Sequence, residues 1–240
     1  MKKFCEKHGE YESEIVKIMG ATFEQSCPIC AKEAAEKEAQ EEAEQKRRSI
    51  IANNMLRGVE EEFIGKTLED FIPETESEHQ ALNAAKDLSA GFIKKLILIG
   101  DNGVGKTLLA DALVQKHDGI RITMFELSCK IRSAFNSGLN EIDILDGLLK
   151  HPLIVIDEIG RTKGSDAERN WMSYLVDKAH ARGIRLMLIS NRKMARSLPK
   201  EQRGEAFEYY VDNDVISRLR QNSRIVEVKG RDRRTALAAL

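Results

Sequence analysis

Aromatic residues are scarce: one tryptophan, four tyrosines and eight phenylalanines make up 5% of the 240 residues. Long apolar runs are missing altogether. The longest, such as 96–99 and 153–156, fall far short of the roughly 20 residues that cross a bilayer, so no membrane span or membrane partner is expected. The opening Met1-Lys2-Lys3-Phe4-Cys5-Glu6-Lys7-His8 has basic residues but no apolar stretch or small-residue cleavage site behind them, which argues against a secretion signal. A cytoplasmic location is expected. An excess of charge of either sign is also lacking. Thirty-eight basic residues against 39 acidic ones leave −1, so any nucleic-acid contact must come from a local patch. Four cysteines in a reducing compartment point to metal ligands or buried thiols and away from disulfides. The 42% hydrophobic and 32% charged residues that remain exclude a disordered or fibrous chain. The length suits one domain with an appendage, or two small domains.

Three zones follow one another. Residues 1–30 hold Cys5, Cys27 and Cys30 with little apolar material, too little to fold by burial alone. From Ala31 to about Arg57 there is no glycine or proline among strong helix formers, and Gly58 supplies a stop, which predicts one long charged helix or linker over 31–58. Ile50, Ile51, Met55 and Leu56 arrive together near its end as a docking point. A compact domain over 59–240 is then expected, opening with a capping box at Ser77-Glu78-His79-Gln80. Its apolar runs at 96–99, 120–125, 153–156, 186–189 and 225–228 alternate with helical segments, which predicts an α/β fold with a mostly parallel sheet covered by helices on both faces. Trp171 lies in a helical pattern ended by Gly183 and reads as core.

Gly100-Asp101-Asn102-Gly103-Val104-Gly105-Lys106-Thr107 matches the phosphate-loop pattern and sits between a buried strand and a helix, the context that pattern requires. The glycines let backbone N–H groups wrap a triphosphate, and the helix N-terminus adds its dipole. Lys106 would reach the β- and γ-phosphates, and the Thr107 hydroxyl would ligate Mg²⁺. The strand at 153–156 runs into Asp157 and Glu158, placing two carboxylates at the same sheet edge. Asp157 suits Mg²⁺ and Glu158 suits a water-activating base. Asn191, at the end of the next strand, can hold the attacking water or the γ-phosphate.

At the other end, Cys5-x-x-His8 and Cys27-x-x-Cys30, eighteen residues apart, form a Cys₃His set suited to a structural, tetrahedral Zn²⁺. Cys129 stands alone and reads as a packed thiol.

These residues resemble those of the DnaC-like replicative helicase loaders of the AAA+ class, a group that is also similar to the IstB-type transposition ATPases. The likeness covers about residues 50 to 240. It rests on the phosphate loop, on Leu153-Ile154-Val155-Ile156-Asp157-Glu158-Ile159-Gly160, on Ile189-Ser190-Asn191 and on Ile216-Ser217-Arg218-Leu219, followed by a short basic tail in place of a helical lid. The resemblance implies ATP hydrolysis with Mg²⁺, Asn191 as the first sensor, and Arg218 as a finger reaching a neighbour's nucleotide, hence self-association. Read without it, Arg218 is a surface salt-bridge residue. Gly230-Arg231-Asp232-Arg233-Arg234 stands where the family has a G-x-S-Y-R-like ending, which makes Arg234 the second sensor and Arg233 its substitute. Leu108 stands where relatives often carry His.

Some phage and Gram-positive loaders carry similar zinc modules for binding their helicase. The implied activity is ATP-dependent placement of a hexameric replicative helicase on single-stranded DNA. Lys130, Arg132 and Phe135, after the second strand, and the seven basic residues between Arg218 and Arg234 are the expected DNA contacts. The alternatives are a transposition adaptor, which the cysteine pairs disfavour, and an ATP-switched zinc DNA-binding regulator.

Overall fold

The computed structural model describes residues 1–13, 15–18, 21–24, 26–135, 138–211 and 213–234. The chain divides into two compact units, Met1–Asn53 and the residues from Asn54 on. In the first, β1 (Lys2–Cys5) and β2 (Gly9–Glu12) pair antiparallel, with Cys5 opposite Gly9 across the turn. A second hairpin joins β3 (Ile15–Ile18) to β4 (Ala21–Glu24). Helix α1 (Pro28–Leu56) starts three residues before the expected Ala31, because Pro28 is suited to a first helical position and adds Cys30 to the first turn. No residue of α1 is buried. Its i,i+4 pairs, Lys32 with Glu36, Lys37 with Glu41 and Arg48 with Glu44, lie on solvated faces.

The second unit is built on a parallel five-stranded sheet. After two short 3₁₀ turns, the order is α2 (Glu76–Ala90), β5 (Lys95–Gly100), α3 (Lys106–Lys116), β6 (Ile120–Thr123), α4 (Met124–Phe135), α5 (Glu141–Leu148), β7 (Leu153–Ile159), α6 (Asp166–Arg182), β8 (Arg185–Ser190), α7 (Phe207–Tyr210), α8 (Asn213–Arg220) and β9 (Ser223–Val228). Across the sheet the strands run β6-β7-β8-β5-β9, so the strand leading into the phosphate loop lies between β8 and β9. Period-two alternation divides their side chains between two cores. Ile97, Ile99, Ile154, Ile156, Leu186 and Leu188 face α4, α5, α6 and α8. Leu96, Leu98, Leu153, Val155, Met187 and Ile189 face α2 and α3. Both faces are covered, as the unbroken apolar runs predict.

Trp171 is core, and its indole N–H donates to Glu141 at 2.8 Å. Gly183 closes α6 in the left-handed region, as expected.

Two local expectations are corrected. The capping box of α2 is Thr75 with Glu78; Ser77 lies inside the helix, where its hydroxyl accepts from Lys229 N–H at 2.9 Å. The second strand ends at Thr123 and does not reach Phe125, because Thr123 and Glu126 cap each other reciprocally and start α4 at Met124.

Gly58 fixes the entry to this unit. Its φ is +81°, and a Cβ there would lie 2.0 Å from the carbonyl oxygen of Arg121. Gly58→Ala should therefore destabilise the unit by about 1–3 kcal/mol or more, read as a fall in the denaturation midpoint.

Candidate functional site

The carboxyl ends of β5, β7 and β8 open onto one cavity of about 590 Å³. Asn102, Gly103, Gly105, Lys106, Thr107, Asp157, Glu158, Asn191 and Arg234 all line it. Of the expected phosphate-loop residues, Gly100 and Asp101 contribute backbone, and Val104 is buried beneath the loop. Gly105 caps α3 at φ +89°, and a Cβ there would come within 2.6 Å of the Phe71 ring, so the close turn requires glycine. Lys106 Nζ donates to the carbonyls of Gly100 at 2.8 Å and Asp101 at 2.7 Å. Burial lowers its pKa to about 8 against the pull of Asp157 and Asp101, which leaves it an ammonium at neutral pH.

The two acids sit at an irregularity in the ladder. Pairing of β7 with β8 shifts between Ile156 and Ile159, and Glu158 takes φ +56°. This local bend turns two successive carboxylates toward one cavity, where regular pleating would send them to opposite faces. Asp157 is buried: its Oδ1 accepts from Glu158 N–H at 2.7 Å and its Oδ2 from Arg121 at 3.1 Å. Glu158 is half-buried and ion-paired with Arg161. Asn191 Nδ2 donates to Asn102 Oδ1 at 2.6 Å, tying the end of β8 to the phosphate loop. A buried carboxylate sharing a wall with Thr107 and Lys106 fits Mg²⁺ held together with a polyphosphate.

The tail separates the two arginines. Arg233 N–H donates to Gly103 O at 3.0 Å, and its guanidinium lies 4.6 Å from the centre of the Phe71 ring. That guanidinium also pairs with Glu78 at 3.0 Å and donates to Ile72 O at 2.8 Å. Arg233 therefore clamps the tail to α2 and the phosphate loop. Arg234 stands at the cavity wall close enough to Lys106 to lower the lysine's pKa.

Arg218 is not brought into this cavity. It pairs with Asp177 on α6, and Lys95 Nζ holds the end of its helix through the carbonyls of Arg218 at 2.8 Å and Gln221 at 3.1 Å.

Sequence reasoning missed Arg121, Glu60, Phe63 and Arg161, which also line the cavity. One signal was available: Arg121 interrupts the apolar strand pattern Ile120-Arg121-Ile122, and a charge inside a buried strand needs partners.

In the first unit, the donor atoms of Cys5, His8, Cys27 and Cys30 all lie within 4.8 Å of one another. Cys5 and Cys30 sulfurs are 3.5 Å apart. His8 Nδ1 lies 3.3 to 3.8 Å from the three sulfurs. Zn–S bonds of about 2.3 Å in a tetrahedron would place sulfurs roughly 3.8 Å apart, so the set fits a closed Zn²⁺ site. Backbone N–H groups of Lys7 and His8 lower Cys5 to a pKa of about 6, and the neighbouring Cys5 raises Cys30 to about 11. Sulfurs this crowded ionise together only around a cation. His8 Nε2 lies 3.1 Å from Glu33 on α1, so the carboxylate orients the ring with Nδ1 toward the sulfurs. Cys129 lies apart on α4, where it accepts from Arg132.

A parallel sheet of this order with a phosphate loop after β5 and paired acids after β7 defines an AAA+ P-loop protein. Residues 35–237 match the model of the family described as IstB-like ATP binding protein, and the chain belongs to that family. Among curated proteins it is 31% identical over 121 residues to the replicative helicase loader DnaC of Escherichia coli (strain K12), covering 47% of this chain and 49% of that one. It is 27% identical over 144 residues to the DnaC loader of Buchnera aphidicola subsp. Baizongia pistaciae, covering 56% and 58%. The chain thus spans about half the length of these curated relatives. Its fold is similar to the crystal structure of the DnaC helicase loader, with TM-score 0.57 and 20% identity, covering 70% of this chain and 99% of that one. It is also similar to DnaI, with TM-score 0.54 and 21% identity, covering 72% and 93%. No helix among the described residues is long and apolar enough to cross a membrane.

Metal analysis of protein purified without chelator should find one zinc per chain. Glu33→Gln should lower zinc affinity by about 10- to 100-fold, measured by competition with a chromogenic chelator, because it frees the ring that Glu33 orients.

Proposed function

We propose that the chain is an Mg²⁺-dependent ATPase that loads a replicative helicase onto single-stranded DNA. The gathering of Lys106, Thr107, Asp157, Glu158 and Asn191 around one cavity carries this reading. Lys106 and the loop amides bind the β- and γ-phosphates. Thr107 and Asp157 would hold Mg²⁺, whose charge would offset that of the phosphoryl oxygens. Glu158 takes a proton from the attacking water, once nucleotide draws it from Arg161. Asn191 orients that water, with its amide already placed by Asn102. Arg234 adds a second cation to the cavity that Lys106 lines.

Arg218 serves a neighbouring subunit's nucleotide, consistent with its place outside its own cavity. Asp177 is the partner it gives up on assembly.

The unit carrying the Cys₃His set, with Ile50 exposed on α1, offers a protein-docking surface for the hexameric helicase, and Met55 and Leu56 are exposed at the end of the same helix. Lys130 and Arg132 on α4, with Phe135 exposed at its end, suit backbone tracking and stacking on single-stranded DNA. The curated relatives are named as helicase loaders, which favours this partner. The family description favours a second reading, an IstB-like transposition ATPase. Capture of a purified replicative helicase or of a transposase by the immobilised full chain separates the two.

Lys106→Ala should abolish ATP binding, whereas Glu158→Gln should keep binding and lose turnover by on the order of 10²- to 10⁴-fold. Equal loss of binding in both would show that Glu158 has another role. Arg218→Ala should bind ATP without hydrolysing it, and mixing with Lys106→Ala protein should restore activity by pairing an intact site with an intact finger.

Lys130→Glu or Arg132→Glu should weaken single-stranded DNA binding and lower the slope of its salt dependence by about one, without changing helicase capture.

A further inference from the structure

Arg121 is a buried ion with no part in the chemistry above. Its side chain is 7% exposed and meets groups from three other parts of the fold. Nη1 lies 3.1 Å from Asp157 Oδ2 on β7, and Nε lies 2.7 Å from Asp111 Oδ1 on α3. Nη2 donates to Gly58 O at 2.6 Å and pairs with Glu60 at 3.2 Å. The same short segment is held twice more. Arg121 N–H donates to Arg57 O at 2.8 Å, and Glu60 N–H donates to Asp111 Oδ2 at 2.8 Å. Gly58 packs its Cα directly beneath the Arg121 carbonyl. Residues 57–60 follow α1 immediately.

We propose that Arg121 is a positioning residue that ties Asp157 to residues 57–60, so that loading of the magnesium–nucleotide site and the setting of this segment form one equilibrium. The proposal rests on the reading of Asp157 as the magnesium carboxylate. One Asp157 oxygen is taken by Glu158 N–H, and the other faces Arg121, so the guanidinium fixes how the carboxylate is aimed. A divalent cation at Asp157 weakens that carboxylate's hold on Arg121. The guanidinium then leans on its remaining partners, Asp111, Glu60 and Gly58 O. Two of those three belong to residues 57–60, so the segment is gripped differently in the loaded state. Linkage makes the effect reciprocal: anything that pulls on the end of α1 alters the aim of Asp157. Any buried guanidinium needs several acceptors; these ones include both the metal carboxylate and the entry segment.

The test uses the full chain with hydrogen exchange read at Glu60 N–H. The probe is AMPPCP, first without and then with Mg²⁺. In the wild type, Mg²⁺ should change exchange at Glu60 by about five-fold or more, the lower range of ordinary coupling between sites. In Arg121→Lys, which keeps a buried cation near Asp157 but cannot span all partners, nucleotide should still bind and the Mg²⁺ response should fall below about two-fold. Glu60→Gln, at the half-exposed end of the network, tests the same link without endangering the fold. It should raise the Mg²⁺ concentration giving half-maximal ATPase while leaving KM for ATP within about two-fold.

A merely structural Arg121 would lower the melting temperature in Arg121→Lys and leave both Mg²⁺ readouts unmoved, which would overturn the proposal. So would a wild-type protein that binds and hydrolyses ATP with a Glu60 amide indifferent to Mg²⁺, and that result would leave the ATPase reading standing. Failure of the wild type to bind AMPPCP at all would remove both.

Discussion

A parallel sheet covered on both faces leaves nowhere for polar chemistry except its ends. Strands β5, β7 and β8 are largely apolar on both sides, and the polar groups that line the cavity lie at and beyond the points where they stop. The placing of β5 between β8 and β9 then decides which ends meet. It sets the phosphate loop beside Asn191 from one neighbour. It sets the tail arginines beside the loop from the other. The cavity is a consequence of strand order before it is a consequence of any particular side chain.

Elements whose chemistry demands a fixed spacing along the chain could be read from the chain. The phosphate loop, the Asp157-Glu158 pair, Asn191 and the two cysteine pairs all came together as their spacing implied. What could not be read were pairings between distant segments. Arg121 finds its partners in β7, α3 and residues 57–60. Arg233, which lines the cavity together with Arg234, also pairs with Glu78 and stacks on Phe71, contacts that only three dimensions show. The α2 cap is an instructive error, since both Thr75-x-x-Glu78 and Ser77-x-x-Gln80 fit the capping pattern. Lys229, just past β9, engages the hydroxyls of both, and it is Thr75 that also exchanges bonds with Glu78, accepting from its N–H at 3.2 Å and donating its own N–H to the carboxylate at 3.1 Å. Thr123-x-x-Glu126 was a legible cap, hidden because the apolar run continues through Met124 and Phe125.

The first unit solves a different problem. Among its described residues few side chains are buried and none on α1, and a hairpin turn and the first turn of a helix bring four donor atoms together. Glu33 lies on the next turn of that helix, so one element supplies the Cys30 sulfur and the brace for the imidazole. The Cys₃His set and the phosphate-loop cavity thus lie in units with different sources of order.

The left-handed backbone at Glu158 has an evolutionary reading. Such a conformation costs a non-glycine residue on the order of a kcal/mol, and glycine or asparagine would occupy it more comfortably. Selection for stability alone would remove the glutamate from this bend. On the proposed reading of Glu158 as the base, selection for turnover is what retains it, and a lineage without need of hydrolysis would be free to relax at this position first while leaving the phosphate cradle intact.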